Sequence, residues 1–284
     1  MKGLIVTADD FGAAPEVNEA VEEAHRHGIL TAASLMVGGD GAADAVARAH
    51  RLPNLKVGLH LVLVEGRPVL PVSDIPDLVA PDGCFRTNMA QAGVDFFFRR
   101  HVRRQLAAEI AAQFSRFRET GLPLDHVNAH KHFHLHPTIA SLIIEIGRDF
   151  GMVAARVPKE PVAVLKRVEP GMRGSSSLLA PWTALLRRKF ARAGLLTPDQ
   201  VFGLAWSGEM TGTRLAGILD HLPSGLTEIY LHPATSGGFS GAAPGYRYAD
   251  ELSALIAPAV LDAARRSGAR LGGFSDLQGR AVGA

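Results

Sequence analysis

The amino-acid sequence predicts an α/β fold: a single-domain (β/α) barrel, regular or of an irregular, seven-stranded form, with two long loop insertions. Three observations predict it. Short apolar runs alternate with longer segments of helical period, the pattern of a parallel sheet wrapped by helices. The chain has 284 residues, close to the roughly 250 that one such barrel uses. Hydrophobic residues make up 47% and charged residues 20%, which suits one large core rather than a disordered or fibrous chain.

Along the chain, strand candidates fall at residues 4–8, 33–37, 56–61, 126–129, 154–157, 201–206, 228–231 and 270–274. Helices fill the gaps. The first begins at Pro15, a first-turn position where the missing N–H costs nothing. It presents Val17, Ala20, Val21 and Ala24 on one face and stops at Gly28. Further helices are expected over 41–51, 101–120, 137–150, 211–221 and 248–267. Residues 62–100 and 158–200 are too long for simple connections and rich in Pro and Gly, so they read as lid or substrate-recognition insertions within one domain, 1–284. No internal repeat or low-complexity tract is present.

The formal charge of +2 lacks the electrostatic footprint of a nucleic-acid binder. Arg99, Arg100, Arg103 and Arg104 read as a solvated helix face, with phosphate or lipid-headgroup contact as the other reading. The single cysteine, Cys84, excludes an internal disulfide and a cysteine-rich zinc site, so any metal must sit on His and carboxylates. The amino terminus lacks the long apolar region of a signal peptide, and no stretch reaches the roughly 20 apolar residues of a membrane span. The expectation is a cytoplasmic protein with room for peripheral contact at the inner face of the membrane. A homo-oligomer is compatible with the sequence.

Four strand ends carry the chemistry. Thr7-Ala8-Asp9-Asp10-Phe11-Gly12 places two carboxylates where the first strand stops; neighbouring strand side chains point opposite ways, so the pair suits two tasks, metal binding and proton handling, or else a turn or helix cap. His60 closes the apolar run Val57-Gly58-Leu59. His126-Val127-Asn128-Ala129-His130-Lys131-His132-Phe133-His134-Leu135-His136 holds five of the chain's twelve histidines. All lie at even positions, so an extended backbone would put them on one face about 7 Å apart. One could then ligate a metal while His132 and His134 contact substrate. His232 ends the run Ile229-Tyr230-Leu231. Strand carboxyl ends are where barrel enzymes place catalytic groups.

At these residues, from Leu4 to about Pro233, the chain resembles the YdjC-like carbohydrate deacetylases, relatives of the NodB-type polysaccharide deacetylases, and most of all their hopanoid biosynthesis-associated members. The resemblance implies that Asp10, His60 and His130 ligate one divalent metal ion, with Asp9 as general base and His232 as general acid. It also implies a basic residue near the base at Arg156, which is grouped with the substrate-binding residues. Many members have Asp where this chain has Asn128, which puts a charge role for that position in doubt.

A two-nitrogen, one-oxygen ligand set suits zinc, with cobalt, nickel or manganese next and magnesium less favoured. The implied substrate is an N-acetylated amino sugar, specifically an N-acetylglucosaminyl hopanoid-type glycolipid. Val94-Asp95-Phe96-Phe97-Phe98, with Leu178, Leu179, Pro181 and Trp182, would form an apolar rim for its lipid. Alternatives are another metal-dependent amidohydrolase, a phosphoesterase, or a non-catalytic sugar-binding barrel.

Overall fold

The computed structural model describes residues 2–172 and 180–278. Strands β1 (Lys2–Phe11), β2 (Ala32–Leu35), β3 (Lys56–Leu61), β4 (Val127–Ala129), β5 (Gln200–Phe202) and β6 (Gly225–Leu231) form one parallel sheet in the order β4-β3-β2-β1-β6-β5. A two-residue β7 (Arg270–Leu271) joins the start of β1. The sheet curls, and the gap between β4 and β5 is spanned by the chain around Ala154–Arg156. Val127 N donates to Ala154 O at 3.0 Å, Arg156 N donates to Val127 O at 3.1 Å, and Val201 N donates to Lys159 O at 2.9 Å. This is the expected (β/α) barrel in an irregular, seven-stranded form.

Strand parity sorts the side chains. Leu4, Val6, Ala8, Ala33, Leu35, Val57, Leu59, Val127, Ile229 and Leu231 belong to the main apolar core, the layer a parallel sheet buries against its helices. Ile5, Thr7, Asp9, Ser34, His60, Asn128, Arg156 and Glu228 have the opposite parity and are buried too. The barrel interior is therefore apolar only at its lower end, where Ile5, Ala32, Ala154 and Phe274 form a separate small cluster. Above it, the interior is polar.

The helices on the outside are α1 (Pro15–His27), α2 (Ala42–His50), α3 (Met89–Phe98), α4 (Arg100–Glu119), α5 (Pro137–Asp149), α6 (Val162–Val168), α7 (Ala180–Arg192), α8 (Gly212–Asp220), α9 (Tyr248–Ile256), α10 (Pro258–Arg266) and α11 (Phe274–Leu277). The insertion at 62–100 holds a short 3-10 turn, Val72–Asp74, and α3; that at 158–200 holds α6 and α7. The first is anchored on α4: Gln113 exchanges hydrogen bonds with both backbone groups of Val62, and Glu109 accepts from Val69 N and Leu70 N. No helix among the described residues is long and apolar enough to cross a membrane.

Four expected elements change. Residues 154–157 make isolated bridges instead of a regular strand, because Pro158 and Pro161 remove donors just beyond them. The strand at 201–206 stops at Phe202, since Gly203 has φ +128°, and a Cβ there would come within 2.5 Å of Tyr230 O. The helix over 248–267 is two helices broken before Pro258, whose ring and missing N–H cannot continue the first. The strand at 270–274 ends at Leu271, and Phe274 instead opens α11 across the bottom of the barrel.

Candidate active site

At the carboxyl ends of the strands a cavity of about 390 Å³ is lined by Asp9, Asp10, His60, His130, His132 and His232, together with Glu65, Lys131, Tyr230, Tyr246 and Tyr248. β1 supplies both aspartates by a local departure from strand geometry. The pairing register with β2 shifts between Ala8 and Phe11, and Asp10 adopts φ +63°, a left-handed conformation that Asp tolerates better than most residues. This corrects the expectation that adjacent strand carboxylates point to opposite sides: the bulge turns both into one cavity. They keep separate partners.

Asp10 meets the two imidazoles. Its Oδ1 lies 3.1 Å from His130 Nδ1 and 3.2 Å from His60 Nε2. Asp10, His60 and His130 each offer one ligand atom, all within 4.8 Å of one another. His60 Nε2 is buried and has no partner of hydrogen-bond geometry. Its other nitrogen is committed: His60 Nδ1 is 2.6 Å from Asn128 Oδ1, while Asn128 Nδ2 donates to Asp9 Oδ1 at 3.1 Å and to Ser34 Oγ at 2.9 Å. With both amide hydrogens spent, Asn128 can only accept from His60, so Nδ1 carries the proton and the Nε2 lone pair faces Asp10 and His130. That is the tautomer a metal ligand needs. An unpartnered buried nitrogen, a carboxylate and a second imidazole within reach fit a divalent cation. An aspartate at position 128 would instead set a second carboxylate against Asp9.

Asp9 is held from behind. Arg156 Nη1 donates to Asp9 Oδ2 at 2.5 Å and Nη2 to Oδ1 at 3.0 Å, while Nε and Nη2 donate to Glu228 Oε1 at 3.0 and 2.7 Å. Thr7 Oγ1 also donates to Glu228, at 2.9 Å. Burial alone would raise the Asp9 pKa, but the Arg156 guanidinium and His60 outweigh it and hold the carboxyl well below the usual range. Burial opposes the ionised form of Asp10 as well, and His130 and His60 outweigh it in the same sense. In His60, burial disfavours the charged imidazole, yet Asp9 and Asp10 raise its pKa overall.

The histidine run does not continue as a strand. β4 ends at Ala129, and His130–Leu135 forms a tight turn in which Lys131 and His132 have φ +52° and +53°. The single imidazole face expected from an extended backbone is therefore absent, because the chain must turn back at the barrel rim to enter α5. His132 still reaches the cavity, 2.9 Å from Tyr230 Oη. His134 does not line it: buried behind, it lies with Nε2 3.0 Å from Arg156 O. Burial and the nearby Arg156 push the His132 pKa well down and that of His134 down to about 3, so both are neutral. Arg156 also stands off the cavity wall, fully buried beneath Asp9; neither a surface role nor direct substrate contact matches that placement. His126 faces the lower barrel, 3.0 Å from Ser34 Oγ and stacked on Phe274 at 4.5 Å.

Several residues went unread in the sequence. Glu228 and Tyr230 of β6 share the parity of His232, one residue past its end, a period-2 signal open to sequence reading. Glu251 of α9 accepts from the backbone N–H of His232 and of Met210, fixing the loop that carries His232; nothing local in the sequence marks it. The glycine-rich connection 236–246 supplies Gly241, Ala242, Ala243, Pro244 and Tyr246 to the cavity wall. The insertion at 62–100 contributes Glu65 there, and none of the described residues of 158–200 lines the cavity. In the expected apolar rim, Asp95 and Phe96 are buried while Val94, Phe97, Phe98 and Trp182 are exposed; Leu178 and Leu179 lie outside the described residues.

Comparison with known proteins places this architecture. A carbohydrate deacetylase of Brevibacillus brevis is 32% identical over 232 residues, covering 81% of each chain. One of Mus musculus is 31% identical over 306 residues, covering 99% of this chain and 96% of that protein. A crystal structure from Enterococcus faecalis, described as a cellobiose-phosphate cleavage protein, superposes with a TM-score of 0.76 over 97% of this chain and 98% of its own; at 23% identity the likeness is one of fold. The family model described as YdjC-like protein matches residues 3–266. This chain belongs to the YdjC-like family.

Proposed function

We propose that the protein is a metal-dependent deacetylase that hydrolyses the N-acetyl group of an amino sugar. The observation that carries this reading is the meeting of Asp10, His60 and His130 within 4.8 Å, in one cavity with Asp9 and His232. Relatives that match across nearly the whole chain and are named carbohydrate deacetylases support it.

Asp10, His60 Nε2 and His130 would hold a single divalent ion, zinc before cobalt, nickel or manganese and with magnesium last, since the donor set is two nitrogens and one oxygen. Such an ion supplies a more acidic water and polarisation of the acyl oxygen. Asp9 takes up the proton of the attacking water. Arg156 and Asn128 use both lone pairs of its Oδ1 and one of Oδ2, which leaves one on Oδ2 free and aims it by elimination. His232 donates a proton to the departing amine, a transfer suited to imidazole near neutral pH. The amide C–N bond breaks, and acetate and the free amine leave. Neutral His132, Tyr230, Tyr246 and Tyr248 give the cavity the mix of aromatic surface and sparse polar groups that suits a sugar ring.

The resemblance to hopanoid biosynthesis-associated members extends the proposal to an N-acetylglucosaminyl glycolipid. Exposed Phe97 and Phe98, beyond the histidine turn, support it. The test is acetate release from a panel of N-acetylated glycans and glycolipids. Release from at least one, faster for lipid-linked acetylglucosamine than for a free acetylated disaccharide, is the expected result. Equal rates remove the lipid refinement, and phosphate release from phosphoesters with no acetate from any substrate removes the deacetylase reading.

A further inference from the structure

Seven large apolar side chains are exposed among the described residues, and five of them lie on one side of the molecule: Val94, Phe97, Phe98, Trp182 and Leu185. Val94, Phe97 and Phe98 stand at i, i+3 and i+4 of α3, so they form one stripe, while Phe96 on the opposite face is buried. Trp182 and Leu185 are an i, i+3 pair on α7. The two helices meet at the histidine turn: the Phe97 ring lies 6.5 Å from that of His136, and Trp182 Nε1 donates to Leu135 O at 2.9 Å. Helices that lead back to a parallel strand run antiparallel to it, which sets the amino ends of α4, α5 and α7 at the end of the barrel that holds the cavity mouth, and the carboxyl end of α3 joins them there because Arg99 alone links it to α4.

The apolar stripe is edged by cations. Arg100, Arg103 and Arg104 are exposed in the first turns of α4 and make no ion pair among the described residues, and Arg188 and Lys189 are exposed on α7 beside Leu185. The first turn of α4 contains no acidic residue, although positive charge at a helix amino end opposes the helix dipole. Exposed phenyl rings and unpaired arginines at a helix amino terminus both work against the isolated, soluble fold. Their coincidence on one face asks for a common partner.

We propose that this face docks onto an anionic lipid surface, the Phe97, Phe98, Trp182 and Leu185 side chains entering the headgroup boundary and the arginines meeting lipid phosphates. Amphipathic surfaces with aromatic and aliphatic residues beside Lys and Arg bind membranes in this way. The make-up of the patch decides against the alternatives. A two-fold dimer through the same patch would bring like arginines together. A single-stranded nucleic acid would use the aromatic rings but leave Val94 and Leu185 without a role. Docking does not depend on the deacetylase reading, because it is read without substrate.

The experiment is co-sedimentation of the full chain with phosphatidylcholine vesicles and with vesicles containing about a third phosphatidylglycerol. Binding is expected to the anionic vesicles only and to weaken with salt. Because a basic residue near an anionic surface contributes about fivefold in affinity, R100Q/R103Q/R104Q should weaken it by up to about 10²-fold. F97S/F98S, which alters only exposed side chains, should weaken it at least about tenfold with an unchanged melting temperature. No binding to anionic vesicles overturns the proposal. So does binding that F97S/F98S leaves intact, equal binding to heparin or single-stranded RNA, or a solution dimer that F97S/F98S dissociates.

Discussion

Replacing Arg156 with methionine isolates the contact on which the geometry of Asp9 rests. The guanidinium is fully buried and serves two buried carboxylates, Asp9 and Glu228. Removing one partner of a buried ion pair costs about 3–5 kcal/mol because a charge is left uncompensated; with two carboxylates orphaned, the upper end, about 5 kcal/mol, applies. For a chain of this size a loss of that order lowers the melting temperature by about 8 °C. The pH dependence has a definite sign. In the native protein the Asp9 pKa is depressed, so its contribution is full above the unfolded carboxyl pKa of about 4 and is lost only as pH falls through the folded value. In the variant, burial without Arg156 raises the folded pKa above the unfolded one, so the variant regains stability as pH falls from 7 toward 4. Calorimetry across that range should show a gap that is wide at pH 7 and narrows on acidification, with Arg156→Lys falling between. A loss below about 1 kcal/mol, or a gap independent of pH, would refute the account of how Asp9 is held.

Further expectations concern separate parts of the molecule. His232→Ala should lower kcat for acetate release by about 10²–10⁴-fold while the bound metal measured by elemental analysis stays unchanged; normal turnover would remove His232 as the proton donor. Asp125 accepts from His126 Nδ1, from Phe274 N and from the Ser275 backbone and hydroxyl. Burial opposes its charge, but these donors bring its pKa down to about 2 from 3.8. Asp125→Asn should therefore cost about 2 kcal/mol above pH 4, an effect that disappears as pH falls toward 2, checked by denaturant unfolding at several pH values. Gly58→Ala would set a Cβ 2.5 Å from His126 O and from its ring, so a loss of about 1–3 kcal/mol in denaturant unfolding is expected from overpacking; an unchanged midpoint would mean that β3 and β4 can separate.

How much of this was legible in the sequence follows from how local each cause is. Most of the core strands could be read because runs such as Lys56–Leu61 satisfy one face of a parallel sheet by themselves, and Pro15 and Gly28 bound α1 within a few residues. The cluster of Asp10, His60 and His130 was readable because both histidines lie at strand ends, where a barrel gathers its functional groups. Features that depend on tertiary pairing were not. The bulge at Asp10 arises from the pairing of β1 with β2, and the left-handed turn at Lys131 and His132 from the need to re-enter α5, so period-2 reasoning failed at both. Arg156 resembles any surface arginine until Asp9 and Glu228, distant in sequence, close over it. Glu251 gave no local cue, since its carboxylate acts on the backbone of a loop that follows another strand.

The central claim is that Asp10, His60 and His130 form one cation site that hydrolysis requires. It is tested most directly by stripping the protein with chelator and titrating zinc back while following both bound metal and acetate release from an N-acetylated amino sugar. Activity that is absent without metal and recovers to a plateau at one equivalent per chain, with no uptake by Asp10→Ala, His60→Ala or His130→Ala, is the predicted result. Full acetate release from the metal-free chain, or stoichiometric uptake by all three variants, would contradict it.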